Sequence, residues 1–131
     1  MVYDGACGFC RYWIRVWARL TGPRVEYIAS QDLGGRFPEI PPSAYDRAVQ
    51  LIEPDGRVYA AAHAVLRALQ EAPGYRLGYR LYCRVPPMAW LAERIYALIA
   101  THRQEASRWT RLLVRDAPTV SCGVKRNESA Y

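Results

Sequence analysis

Two rhythms of apolar and polar residues run along this chain. Val2-Tyr3 reads as the end of a first strand. A central strand usually has about five or six residues, so either this one is cut short or the native start lies upstream of Met1. After Asp4-Gly5-Ala6 the rhythm becomes helical: Cys10, Trp13, Ile14 and Trp17 share one face, and Arg11, Arg15 and Arg19 recur on another. The pattern predicts a helix over residues 7–20, stopped at Thr21-Gly22-Pro23 because glycine suits a left-handed cap and proline cannot continue. Residues 25–29 read as a second strand, parallel to the first if the helix is a right-handed crossover. Residues 31–45 carry three glycine or proline clusters and read as a loop with one short helical turn. Two further strands, 48–52 and 57–60, flank Glu53-Pro54-Asp55-Gly56, a strong hairpin signal. Helical rhythm returns over 62–72, 75–84, 87–101 and 104–115. Leu91, Ile95, Leu98 and Ile99 form one apolar stripe there, and Trp109, Leu112 and Leu113 another, both expected to pack on the sheet or cover one end of it. Periodicity vanishes beyond Asp116, which predicts a folded unit over 1–115 and a loose tail over 116–131.

Size and composition narrow the class. A chain of 131 residues builds one domain with a real core, and 51% hydrophobic against 23% charged residues excludes wholesale disorder. The net charge of +6 comes almost wholly from arginine, dispersed rather than clustered, which argues against nucleic acid and for a solvated basic surface. Such a face also suits acidic partners or membrane surfaces. No apolar run approaches the ~20 residues that span a bilayer, and no leader pattern precedes the first strand, so a cytoplasmic protein is expected. In a reducing compartment, paired cysteines are catalytic or metal-binding rather than a crosslink.

The pair is Cys7-Gly8-Phe9-Cys10, at a strand-to-helix junction. Dithiol redox chemistry uses this arrangement: the first cysteine lies where free backbone N–H groups and the helix dipole favour a thiolate, and the second, one turn on, closes a disulfide onto it. A zinc site would need two more ligands, and the only recruits, Cys83, Cys122, His63 and His102, are scattered. An inert buried pair is the third reading. Asp4 has two readings of equal weight, proton handling beside Cys7 or anchoring of the turn. Its carboxylate would raise a neighbouring thiol's pKa, an effect that Arg11, four residues after Cys7, is placed to counter. His63 reads as a capping or packing residue, and His102-Arg103 as helix surface or a structural contact. Cys83 reads as core, and Cys122 as an incidental thiol or a third, resolving one. No glycine-rich phosphate loop is present.

The string D-G-x-C-x-x-C over Asp4, Gly5, Cys7 and Cys10 resembles the DCC family of predicted thiol-disulfide oxidoreductases. The resemblance continues through Ser30-Gln31, Asp55-Gly56, the small-residue segment 61–69 and Tyr96-x-x-x-Ala100-x-x-Arg103, and so covers residues 2–113. It implies an α/β, thioredoxin-like fold with a small mixed four-stranded sheet, flanking helices and additional C-terminal helices. It also implies thiol-disulfide exchange with Asp4, Cys7 and Cys10 as the site. The order strand, helix, strand, loop, hairpin, helix agrees. Gly8-Phe9 departs from the dipeptides of thioredoxins and disulfide-forming oxidases, which leaves the direction of electron flow open. The cis-proline that faces the pair in thioredoxins has no counterpart, since Pro41 and Pro42 stand several residues before the third strand. The expectation is therefore exchange in which Cys7 attacks and Cys10 resolves, without dissociable cofactor or metal. Its partners would be protein or small-molecule disulfides and a recycling thiol reductant. A non-enzymatic binding module and a metal-binding redox sensor are the rival readings.

Overall fold

The computed structural model describes residues 1–113. In chain order the elements are β1 (Val2–Tyr3), α1 (Gly8–Thr21), β2 (Ile28–Ala29), α2 (Pro42–Arg47), β3 (Gln50–Ile52), β4 (Val58–Ala60), α3 (Ala61–Leu69), α4 (Arg76–Arg84), α5 (Pro86–Thr101) and α6 (Arg103–Leu113). The strands make one mixed sheet in the order β2-β1-β3-β4. β1 is parallel to β2, with Val2 opposite Ile28, and antiparallel to β3, with Val2 opposite Gln50. β3 and β4 form the expected hairpin, Leu51 opposite Tyr59. Strand side chains alternate between faces, so the sheet divides two cores. Met1, Val49 and Leu51 pack with Ile14 of α1 and with Ala64 and Ala68 of α3 on one face. Val2 meets Leu33, Ile40 and Tyr45 on the other. This is the thioredoxin-like α/β arrangement, with α4, α5 and α6 as the additional helices.

Several boundaries move. The second strand is shorter than 25–29, because a 3₁₀ turn over Gly22–Arg24, led by Pro23, delays its entry into the ladder. The 31–45 loop holds part of a 3₁₀ turn, Ser30–Asp32, and the start of α2. Helix α1 begins at Gly8, so Cys7 is its N-cap rather than part of its first turn. The expected tail, 116–131, and Cys122 lie outside the described residues.

Two expectations about burial are overturned. Cys83 is exposed, not core: the Tyr79 and Tyr82 rings pack against His63, and Cys83, one turn after Tyr79 and hydrogen-bonded to it, lies at the exposed edge of the same face. The stripe Leu91, Ile95, Leu98 and Ile99 also faces outward. Polar contacts set the rotation of α5. Glu93 Oε1 accepts the His63 backbone N–H at 3.2 Å and the Tyr82 hydroxyl at 2.7 Å. Because Ala60 at the N-cap of α3 has no side-chain oxygen, Glu93 terminates an amide that α3 cannot terminate itself. Three residues on, Tyr96 Oη accepts the Val49 N–H at 3.1 Å. Residues at i and i+3 share a face, so these two contacts turn Leu91, Ile95 and Leu98 away. His63 packs as expected, its ring centroid 4.6 Å from Tyr59 and 5.0 Å from Tyr82.

Tyr96→Phe leaves the Val49 N–H without its partner. The variant is expected to lose about 1–2 kcal/mol in urea unfolding; an unchanged midpoint would show that the hydroxyl does not fasten α5 to the sheet.

Candidate active site

Between β1 and α1 the chain has four residues in which to turn, and side chains hold the turn together. Asp4 Oδ1 accepts the Ala6 N–H at 2.9 Å, an aspartate turn onto its own backbone, and also the Gln31 Nε2 at 3.2 Å. Gln31 Oε1 accepts the Gly5 N–H at 3.0 Å, so one amide side chain clamps both residues. Gly5 is required by this closeness. A Cβ there would lie 2.7 Å from Gln31 Oε1 and 2.8 Å from the Ala29 Cβ. The turn delivers Cys7 in an extended conformation, φ −82° and ψ 113°, with its N–H donating to the Asp4 carbonyl at 3.3 Å.

Cys7 Sγ then accepts the Cys10 N–H at 3.3 Å. A sulfur thus occupies the place where serine or aspartate usually terminates a helix, facing the positive end of α1. It opens onto a cleft of about 570 Å³, lined by Asp4, Cys7 and Gly8 on one side and by Arg103, Glu105 and Arg108 on the other. Helix α6 lies against α1 to form it. Both cysteines are free thiols and half-buried. Arg11 is exposed on α1.

Cys10 borders a second, narrow pocket of about 40 Å³ with Trp13, Tyr96 and Arg103. Burial pushes its thiol up to about 12, and the hydrogen bond and charge of Cys7 push the same way; Arg103, hydrogen-bonded to Cys10, opposes them. Arg103 is itself pinned, its Nε donating to the Ala100 carbonyl at 3.0 Å and a terminal nitrogen to the Asp46 carbonyl. Of the two sequence readings of Arg103, helix surface and structural contact, the structure bears out the contact: it hydrogen-bonds Cys10 and lines the cleft that Cys7 borders. The Tyr96-x-x-x-Ala100-x-x-Arg103 pattern already marked it, although Tyr96 and Ala100 lie on α5 and Arg103 opens α6. His102 keeps its surface reading, exposed, with Nδ1 donating to the Leu98 carbonyl at 2.9 Å. Cys83, on α4, does not line either pocket. Among the described residues no three His, Cys, Asp or Glu side chains gather as a metal set.

Gly5→Ala is expected to cost about 1–3 kcal/mol of stability, because the added methyl overlaps the Ala29 Cβ and displaces Gln31. Gln31→Ala in the same background should recover only part of the loss, since the Ala29 contact remains. Wild-type stability in the single variant would show that the turn has slack.

No curated protein and no solved structure gives a significant match to the chain. Among the described residues, no helix is long and apolar enough to cross a membrane. One family model does match, over residues 1–109, and it spans the turn, both cysteines and Arg103. By that match the chain belongs to the DCC1-like thiol-disulfide oxidoreductase family.

Proposed function

We propose that the protein exchanges disulfides through Cys7 and Cys10, with Cys7 as the attacking sulfur. The observation that carries this reading is the division of labour between the two: Cys7 Sγ caps α1 and borders the wide cleft, whereas Cys10 borders the narrow pocket behind it. The attacking sulfur needs access and a stabilised thiolate, and the resolving one needs only reach.

In the reducing direction the Cys7 thiolate attacks one sulfur of a substrate disulfide. A Cys7–substrate disulfide forms, the substrate S–S bond breaks, and the departing thiolate takes a proton from water. Cys10, once deprotonated, attacks Cys7 Sγ; the Cys7–Cys10 disulfide forms and the second substrate thiolate leaves. Two electrons pass to the substrate, and a thiol reductant of the kind a cytoplasmic compartment supplies restores the pair. The reverse sequence donates a disulfide by the same atoms.

The resolving step faces a thiol held at about 12. Two of the three causes that raise it come from Cys7, and both weaken when Cys7 Sγ is bound in a mixed disulfide and carries no charge. Burial is then opposed by Arg103, which we assign as the group that prepares Cys10 for the second step. Asp4 serves the pair by holding the turn that aims Cys7, through the two hydrogen bonds on its Oδ1.

Cys10→Ser should accumulate a mixed disulfide at Cys7 when mixed with oxidised glutathione, read by intact mass. Trapping by Cys7→Ser instead would reverse the roles, and a pair unreactive in every form would leave a non-enzymatic binding module. Arg103→Ala should slow resolution about threefold for each pKa unit by which Cys10 rises, after the gain in nucleophilicity is counted, and change the first attack less than that. Arg103→Lys should recover part of the rate. An unchanged resolution rate in Arg103→Ala would remove Arg103 from the chemistry.

A further inference from the structure

The outward turn of α5 leaves an apolar ridge. Met88, Leu91, Ile95 and Leu98 follow one another at three- and four-residue spacing, Ile95 being 50% and Leu98 63% exposed, and Trp90 beside them is 62% exposed. The Arg94 guanidinium lies over the Trp90 ring, 5.3 Å from its centroid. On α4, packed against α5, Leu77 is 64% exposed among Arg76, Arg80 and Arg84. Monomeric proteins rarely leave so much contiguous apolar surface without use.

Charge decides what suits this ridge. Residues 72–104 contain Arg76, Arg80, Arg84, Arg94 and Arg103 against a single acid, Glu93. Glu93 is turned inward onto His63 and Tyr82, and Arg103 is turned to Cys10 and Asp46. What the two helices present outward is therefore apolar and cationic, with no carboxylate. A second copy docked ridge to ridge would bring arginines together with no acid to answer them. An anionic lipid surface answers both features. Its interface takes up leucine, isoleucine and tryptophan side chains, and its phosphates meet the arginines.

We propose that the outer face of α5, assisted by the arginines of α4, docks the protein on anionic membrane surfaces. The helix lies in the interface plane and does not span it. This surface is independent of the thiol chemistry, so each reading stands or falls without the other.

Co-sedimentation of the full chain with vesicles tests it, comparing phosphatidylcholine alone with phosphatidylcholine mixed with phosphatidylglycerol. Binding is expected only to the mixed vesicles and should fall with added salt, which shortens the reach of charge to about 3 Å at 1 M. Ile95→Glu/Leu98→Glu should weaken binding by at least about tenfold while circular dichroism is unchanged, because both substituted side chains would otherwise enter the interface. Arg94→Ala, a milder change, should weaken it less, and Arg15→Glu on α1 should weaken it least. Equal binding to both vesicle types, or to neither, would overturn the proposal. A dimer in sedimentation velocity that Leu98→Glu splits would assign the ridge to a second copy, and retention on soluble polyglutamate but not on vesicles would assign it to an acidic protein. Either result overturns the membrane reading.

Discussion

A helix that starts four residues after a strand must find partners for its first free amides, and in α1 a sulfur takes that duty. Cys7 Sγ is the cap of the helix and, in the exchange we propose, also the attacking atom. The rest of the site is arranged around this double use. Gly5 is bare so that Gln31 can close over the turn, Asp4 spends Oδ1 on holding it, and α6 lies across α1 to shape the cleft.

Much of this was readable from local pattern. The four strands, the hairpin at Asp55-Gly56 and the start of α1 all follow from periods of two or 3.6 residues punctuated by glycine and proline. So does the cysteine pair at the junction, because its position depends on neighbours in sequence. What sequence concealed depends on partners distant in the chain. Gln31 reaches Asp4 from 27 residues away, and Arg103 meets Cys10 only because α6 returns to α1. The Ser30-Gln31 and Tyr96-to-Arg103 patterns mark both residues, but nothing beside either one names its partner.

The misread burial of α5 has the same origin. An apolar stripe at helical spacing normally marks the face a helix buries, and Leu91, Ile95 and Leu98 have that spacing. The helix instead buries a face of alanine, glutamate and tyrosine, since two hydrogen bonds on that side satisfy amides just before β3 and in the first turn of α3. Cys83 was misjudged similarly, as an apolar residue in an apolar run, whereas the tyrosines beside it claimed the interior.

Those two hydrogen bonds also settle how the molecule comes apart. Val49 belongs to the core beneath the sheet and His63 to the first turn of α3, yet the partners of both amides are carried by α5. Detaching α5 would strip the amide that leads into the interior strand β3 and a helix-start amide at the same moment, so the late helix is not an appendage that frays first. Amide hydrogen exchange at Val49 and His63 belongs with the opening of α5, which makes the three elements one cooperative unit despite the 47 residues that separate Val49 from Tyr96.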